Sequence, residues 1–158
     1  MSASRRRAWL GMLIVAALVV ALDQGVKAIV ESSLELGERD DLALGFDLTR
    51  VTNSGVAFGL FSEGSDAVVI AFTAAALLLI VGWFVFDTTR PGLWLGVGLL
   101  TGGALGNLAD RIFDGAVTDY LDPPIWPAFN VADIAITLGV VVIAFAALAP
   151  APPEATEP

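Results

Sequence analysis

Residues 102–133 read GGALGNLADRIFDGAVTDYLDPPIWPAFNVAD. An apolar helix runs into this stretch and another runs out of it. Between them stand Asn107, Asp110, Arg111, Asp119, Asn130 and Asp133. The chain around them is 56% hydrophobic, with a mean hydropathy of +0.79. In such a chain a dense polar cluster needs a cause. A charge carried into a membrane segment costs about 2.5–3.5 kcal/mol on insertion scales, so it tends to be paired, turned inward or functional.

Outward from this stretch, apolar runs of helix length recur, the mark of an integral membrane protein. Helices are expected over about 9–30, 67–86, 93–112 and 128–149, with external segments over about 31–62 and 113–127. The fold class is therefore mainly α: a polytopic protein with four transmembrane helices and a small extracytoplasmic β-sheet cradle. Residues 1–158 are expected to form a single membrane domain, with a Pro-rich, acidic, disordered tail over 150–158. Arg5, Arg6 and Arg7 precede the first apolar run, and Arg90 lies in the loop over 87–92. The positive-inside rule then puts both termini in the cytoplasm. A signal-peptide reading of the N-terminus is rejected, because no small-x-small cleavage site ends the run and further apolar helices follow. Gly96, Gly98, Gly102, Gly103 and Gly106 give the third helix a small face for close packing.

In the first external segment, Leu42, Leu44, Phe46 and Leu48 alternate with more polar or smaller residues. Period two predicts a half-buried strand over 42–49. Asn53-Ser54-Gly55 reads as a turn, and an apolar segment resumes over 56–61. The net charge of −9 is uneven, with acidic residues gathered in 31–47 and in the tail. No basic stripe is present, so nucleic acid is excluded as a partner. With no cysteine and no histidine, disulfides, Cys-rich metal sites, a Ser-His-Asp triad and a Cys-His pair are excluded too. Acid–base chemistry falls to carboxylates, with Lys27 and Tyr120 as weaker candidates.

Each polar residue has a plain reading beside a functional one. Asp23 and Lys27, four apart on one helix face, form either a snorkelling interfacial pair or a brace beneath a site. Asp110 and Arg111 fit the end of a span, which explains Asp110 well. Asn107 lies a full turn deeper and is explained less well. Asn130 at an N-cap with Asp133 three residues on matches a capping box, and Asp119 fits a solvated loop. The alternative is a catalytic pair, Asp119 and Asp133. Two close carboxylates cannot both ionise and share one proton. The ionised one then draws a proton from water while the other donates to a scissile carbonyl. Peptide hydrolysis by such a pair requires no metal, cofactor or nucleophilic side chain.

Several blocks together resemble lipoprotein signal peptidase, or signal peptidase II, a family of bacterial membrane aspartyl proteases. They are Asp23-Gln24 with Lys27, the run from Asn53 to Gly59, Gly102 to Arg111, Gly115 to Tyr120, and Phe129 to Ile136. The resemblance implies that Asp119 and Asp133 are the catalytic dyad and that Asn53, Asn107, Arg111 and Asn130 line or brace the site. It implies a prolipoprotein substrate bearing diacylglycerol on the Cys before which the chain is cut. It implies a multi-pass protein of the bacterial inner membrane, in contact with membrane lipid, with its site near the extracytoplasmic face. The protein is expected to act as a monomer. Tyr120 departs from the phenylalanine common there, and Asp119 and Asp133, 14 positions apart, are joined by a short segment. The competing expectation is a non-enzymatic four-helix transporter or assembly partner, with Asp23, Lys27, Arg111 and Asp133 as an ion path. Such a path needs charges at several depths.

Overall fold

The computed structural model describes residues 2–42, 45–54, 66–88 and 90–149. Among the described residues, four helices carry a small sheet at one end. In chain order they are α1 (Ala3–Ser33), β1 (Arg39–Asp41), β2 (Asp47–Asn53), α2 (Asp66–Phe86), α3 (Leu93–Phe113), β3 (Val117–Asp122) and α4 (Val131–Leu148). The strands form an antiparallel sheet in the order β1-β2-β3, with an irregularity between Leu48 and Val51. α1, α2 and α4 are long and apolar enough to cross a membrane. α3 matches α2 at 21 residues but is diluted by glycines and by Asn107, Asp110 and Arg111. With several membrane-length helices, this is a multi-pass membrane protein.

α3 is the axis of the bundle and packs most extensively on α4 and α1. Its glycines make that possible. A Cβ at Gly98 would stand 2.9 Å from the Met12 carbonyl oxygen, and one at Gly102 would stand 2.8 Å from that of Ala16. On the opposite side Gly96 meets Ile143 and the Gly139 carbonyl. Helices touching at backbone distance gain dispersion contacts that larger residues would forbid, a main source of association where the surrounding solvent is itself apolar.

The outside of the bundle is apolar, with Leu18, Phe72, Leu79 and Phe145 among the exposed side chains. The inside is layered. Met12, Phe84, Leu93, Val97 and Ala146 fill one end, where Trp9 meets Phe84 edge to face at 5.0 Å. Val30, Leu34 and Tyr120, with Leu48, Leu121 and Val131, fill the other beneath the sheet. Buried polar residues, including Asp23, Lys27, Asn107 and Asp110, lie in the same bundle.

Arginines serve the C-terminal carbonyls of α1, α2 and α4. Arg50 donates to the Glu31 and Leu34 carbonyls of α1, and Arg5 to that of Val85 in α2 at 2.6 Å. Arg90 donates to Ala146 and Ala147 in α4. Those carbonyls have no intrahelical partner, and a guanidinium meets both the missing donors and the negative end of the dipole.

The structure corrects three expectations. The alternation over 42–49 is not one strand. β1 ends at Asp41, Gly45 turns the chain at φ 81°, and β2 begins at Asp47. The Leu42 N–H donates to the Phe46 carbonyl at 2.9 Å across that turn. A period-two pattern continues through a tight hairpin, and the left-handed glycine decides where it breaks. Leu42 is exposed; Leu44, the apolar run over 56–61 and the tail over 150–158 lie outside the described residues. Asn53 is not a turn residue but the last residue of β2, paired with Val117. The last helix also begins at Val131 rather than at 128. Phe129 is held to Leu121 by an antiparallel bridge, and Asn130 is the N-cap.

Candidate active site

Asp119 and Asp133 arrive from different elements. Asp119 lies on β3, the edge strand that pairs with β2 on one side. Asp133 is the third residue of α4, held by a capping box. The Asn130 side chain accepts from the Asp133 N–H at 2.9 Å, and Asp133 Oδ2 accepts from the Asn130 N–H at 3.3 Å. The box places the carboxylate without occupying it fully, since Oδ1 faces Asn107.

Both carboxylates line a cavity of about 710 Å³ together with Asn53, Asn107 and Arg111. Its other walls are mainly apolar, with Val68, Val69 and Phe72 from α2 and Ile136 from α4. Every carboxylate oxygen of the two has an N–H donor. Asp119 Oδ1 accepts from Asn130 Nδ2 at 2.7 Å and Oδ2 from Asn53 Nδ2 at 3.0 Å. Asp133 Oδ1 accepts from Asn107 Nδ2 at 2.8 Å. Burial, with the Asn53 and Asn130 donors opposing it and the Asp133 charge adding to it, pushes Asp119 from the ordinary 3.8 up to about 6. Burial disfavours the charged form, and a like charge nearby disfavours it further.

The asparagines are oriented by groups that cannot reverse. Asn107 Oδ1 accepts from the Lys27 ammonium at 3.1 Å and from Asn130 Nδ2 at 3.1 Å. An ammonium is only a donor, so the Asn107 oxygen must face it and the NH₂ must face Asp133. Asn130 Oδ1 is fixed by a backbone N–H, which sends its NH₂ toward Asp119, the Asn107 oxygen and the Thr118 carbonyl.

Asp23 and Lys27 do not line the cavity; they lie behind it. Lys27 Nζ is 2.7 Å from Asp23 Oδ2 and 2.6 Å from Asp110 Oδ2. Asp23 Oδ1 accepts from the Ala132 N–H at 2.9 Å, in the first turn of α4. This is a closed buried cluster, not a snorkelling pair.

Reading Asp110 as the end of a span missed its role. It is 4% exposed, pairs with Lys27, and accepts from Gln24 Nε2 at 2.7 Å. One signal was available. Asp110 lies three residues after Asn107 on the same face, and Lys27 in an apolar helix needs more than Asp23 to satisfy it. Among the described residues no set of three or more His, Cys, Asp or Glu is placed to hold a metal ion.

The profile of the family described as Signal peptidase (SPase) II matches residues 15–149. The lipoprotein signal peptidase of Moorella thermoacetica is 38% identical over 147 residues, covering 92% of this chain and 98% of its own. That of Gloeobacter violaceus is 44% identical over 146 residues, covering 88% and 80%. A solved structure described as a bacterial membrane enzyme, obtained by the in meso method at 2.3 Å, superposes with a TM-score of 0.80 at 30% identity, over 87% of each chain. A second, at 1.9 Å, gives 0.78 at 30% identity, over 87% of this chain and 92% of that one. On the match across most of its length and on the agreement of fold, this chain belongs to the signal peptidase II family and is a peptidase.

Proposed function

We propose that the protein is an aspartic endopeptidase that removes signal peptides from prolipoproteins, cutting just before a diacylglyceryl-modified Cys, with Asp119 and Asp133 as its catalytic pair. The observation that carries this reading is that a buried carboxylate from β3 and a half-buried one from α4 open on one apolar-walled cavity, with an N–H donor on each oxygen. The pair shares one proton. The ionised carboxylate takes a proton from a water held between the two as its oxygen attacks the scissile carbonyl carbon. The protonated carboxylate donates to the carbonyl oxygen, and a proton returned to the nitrogen lets the amine leave. Arg111, with its planar fork of donors, and Asn53 are suited to hold the peptide backbone.

In this reading α3 is the fourth span, because its polar groups turn inward toward α1 and α4. The arginines of α1 and of the α2–α3 loop mark the cytoplasmic side, and the sheet end, with the pair, faces out. The enzyme acts in the bacterial inner membrane as a single-domain monomer in contact with lipid. A transporter would need ionisable groups strung through the bundle, whereas Asp23, Lys27 and Asp110 are closed on one another.

The test is gel-shift cleavage of a purified prolipoprotein with and without its diacylglyceryl group, in one detergent. Each buried CH₂ adds about 0.8 kcal/mol to residence in an apolar phase, and two acyl chains hold the scissile bond at the depth of the site. The unmodified substrate should be cut at least about tenfold more slowly. Equal kcat/KM for the two would mean the site reads peptide sequence alone.

The pair also sets a pH dependence. Asp119 is raised from 3.8 to about 6, so its proton is held below that value and lost as pH rises through it. The free-enzyme rate kcat/KM should therefore fall on the alkaline side as pH rises through about 6. This group's contribution to fold stability has the same sign: complete below about pH 4 and lost as pH rises through about 6. Asn53 favours the ionised form, so Asn53→Ala should move the alkaline limb to higher pH. A limb that stayed in place or moved down would show that Asp119 does not set it.

A further inference from the structure

Tyr120 follows Asp119 on β3, and alternation along a strand sends its side chain to the opposite face. There it is 2% exposed, packed with Val30, Leu34 and Val131. Its hydroxyl oxygen accepts the Val131 N–H at 3.1 Å. Val131 is the first residue of α4, and Asp133 is the third. The first three N–H groups of α4 therefore end on three different side chains. Val131 donates to Tyr120, Ala132 to Asp23 and Asp133 to Asn130. Those N–H groups have no partner within the helix. Burial pushes the phenol up to about 12, so the acceptor stays a neutral hydroxyl wherever the carboxylates work.

We propose that the Tyr120 hydroxyl is a positioning group for the reaction: it ties the first turn of α4, which carries Asp133, to the strand residue adjoining Asp119, and so sets the spacing of the two carboxylates. The inference rests on the catalytic pair proposed above. Asn130 already links the two elements from the cavity side, through Asp119 and the Thr118 carbonyl. Tyr120 supplies the link from the far side. With both in place, α4 cannot tilt about Asn130 and carry Asp133 away from Asp119. Proton transfer and attack on a carbonyl depend steeply on such spacing, where a displacement of about 1 Å costs as much as 100-fold.

The test is a double-mutant cycle. Proline lacks the N–H and is well tolerated at the first helical position. The residue before it, Asn130, is already extended at φ −133° and ψ −179°, as a residue preceding proline must be. Val131→Pro thus removes the donor that Tyr120 serves. Kinetics on diacylglyceryl-prolipoprotein are compared for the wild type, Tyr120→Phe, Val131→Pro and the double variant. Tyr120→Phe should lower kcat about tenfold and leave KM within about twofold. In the Val131→Pro background the same change should alter kcat by less than about twofold.

An equal fall in both backgrounds would overturn the proposal, because the hydroxyl would then act elsewhere. So would an unchanged kcat in Tyr120→Phe, or a rise in KM alone. If the proline variant does not fold, amide exchange at Val131 decides, since Tyr120→Phe must speed it and unchanged exchange overturns the bond. Asp119→Asn is assayed alongside. An active Asp119→Asn would remove the catalytic pair itself, whereas the cycle in thermal midpoint would still report the Tyr120 bond.

Discussion

Asp119→Asn and Asp133→Asn should each lower kcat by at least about 100-fold, the lower range for loss of a general acid or base. An amide keeps the size of the carboxylate but cannot exchange the proton. The Asp133 variant should also lose stability. Asp133 accepts on both oxygens, from Asn107 Nδ2 and from the Asn130 N–H. Asparagine has one oxygen, so one of those donors must lose its partner. Neither can turn away, because Asn107 is oriented by Lys27 and the other donor is backbone. Leaving a buried donor unsatisfied costs about 1–3 kcal/mol. That corresponds to a fall of roughly 2–12 °C in thermal midpoint for a chain of this size. Measuring kcat per folded molecule separates the two effects. A variant that kept a tenth of the wild-type kcat would remove that residue from the chemistry, whatever its stability.

Much of the architecture was legible because it follows from one-dimensional patterns. Apolar runs of membrane length mark the helices, and glycines at Gly98 and Gly102 mark where α3 meets α1. The alternation around Gly45 was not decisive, because period two is the same through a strand and across a two-strand hairpin. Only the positive φ at Gly45 separates them. Asp133 shows a different limit. A capping box and a cavity-lining carboxylate were set against one another as readings, but the structure combines them: one oxygen closes the box and the other faces Asn107. Asp110 was hidden for a third reason. Its partners Gln24 and Lys27 are more than 80 positions away in sequence, and helix-end position gave a sufficient local explanation. The contacts that orient Asn107 and Asn130 depend on how three helices and a strand converge, which no local spacing encodes.

Lys27→Met should destabilise the protein by about 3–5 kcal/mol, the usual result of removing one partner of a buried ion pair. Lys27 is 3% exposed and its ammonium faces the carboxylates of Asp23 and Asp110, residues that are 0% and 4% exposed. Without it, two like charges remain in an apolar bundle with only neutral donors such as Gln24 beside Asp110. The cost lies in stranding those charges rather than in losing attraction, because forming such a cluster already required desolvating all three groups. The expected fall in thermal midpoint is roughly 6–20 °C. Adding Asp110→Asn to Lys27→Met should recover part of it by removing one stranded charge. Activity should not recover in parallel. Asn107 Oδ1 would still lack the donor that holds its NH₂ toward Asp133, so kcat per folded molecule should stay well below wild type. A thermal midpoint for Lys27→Met within about 2 °C of wild type would mean that water reaches the cluster. A full return of kcat in the double variant would mean that Lys27 serves stability alone and that the orientation of Asn107 is set by Asn130.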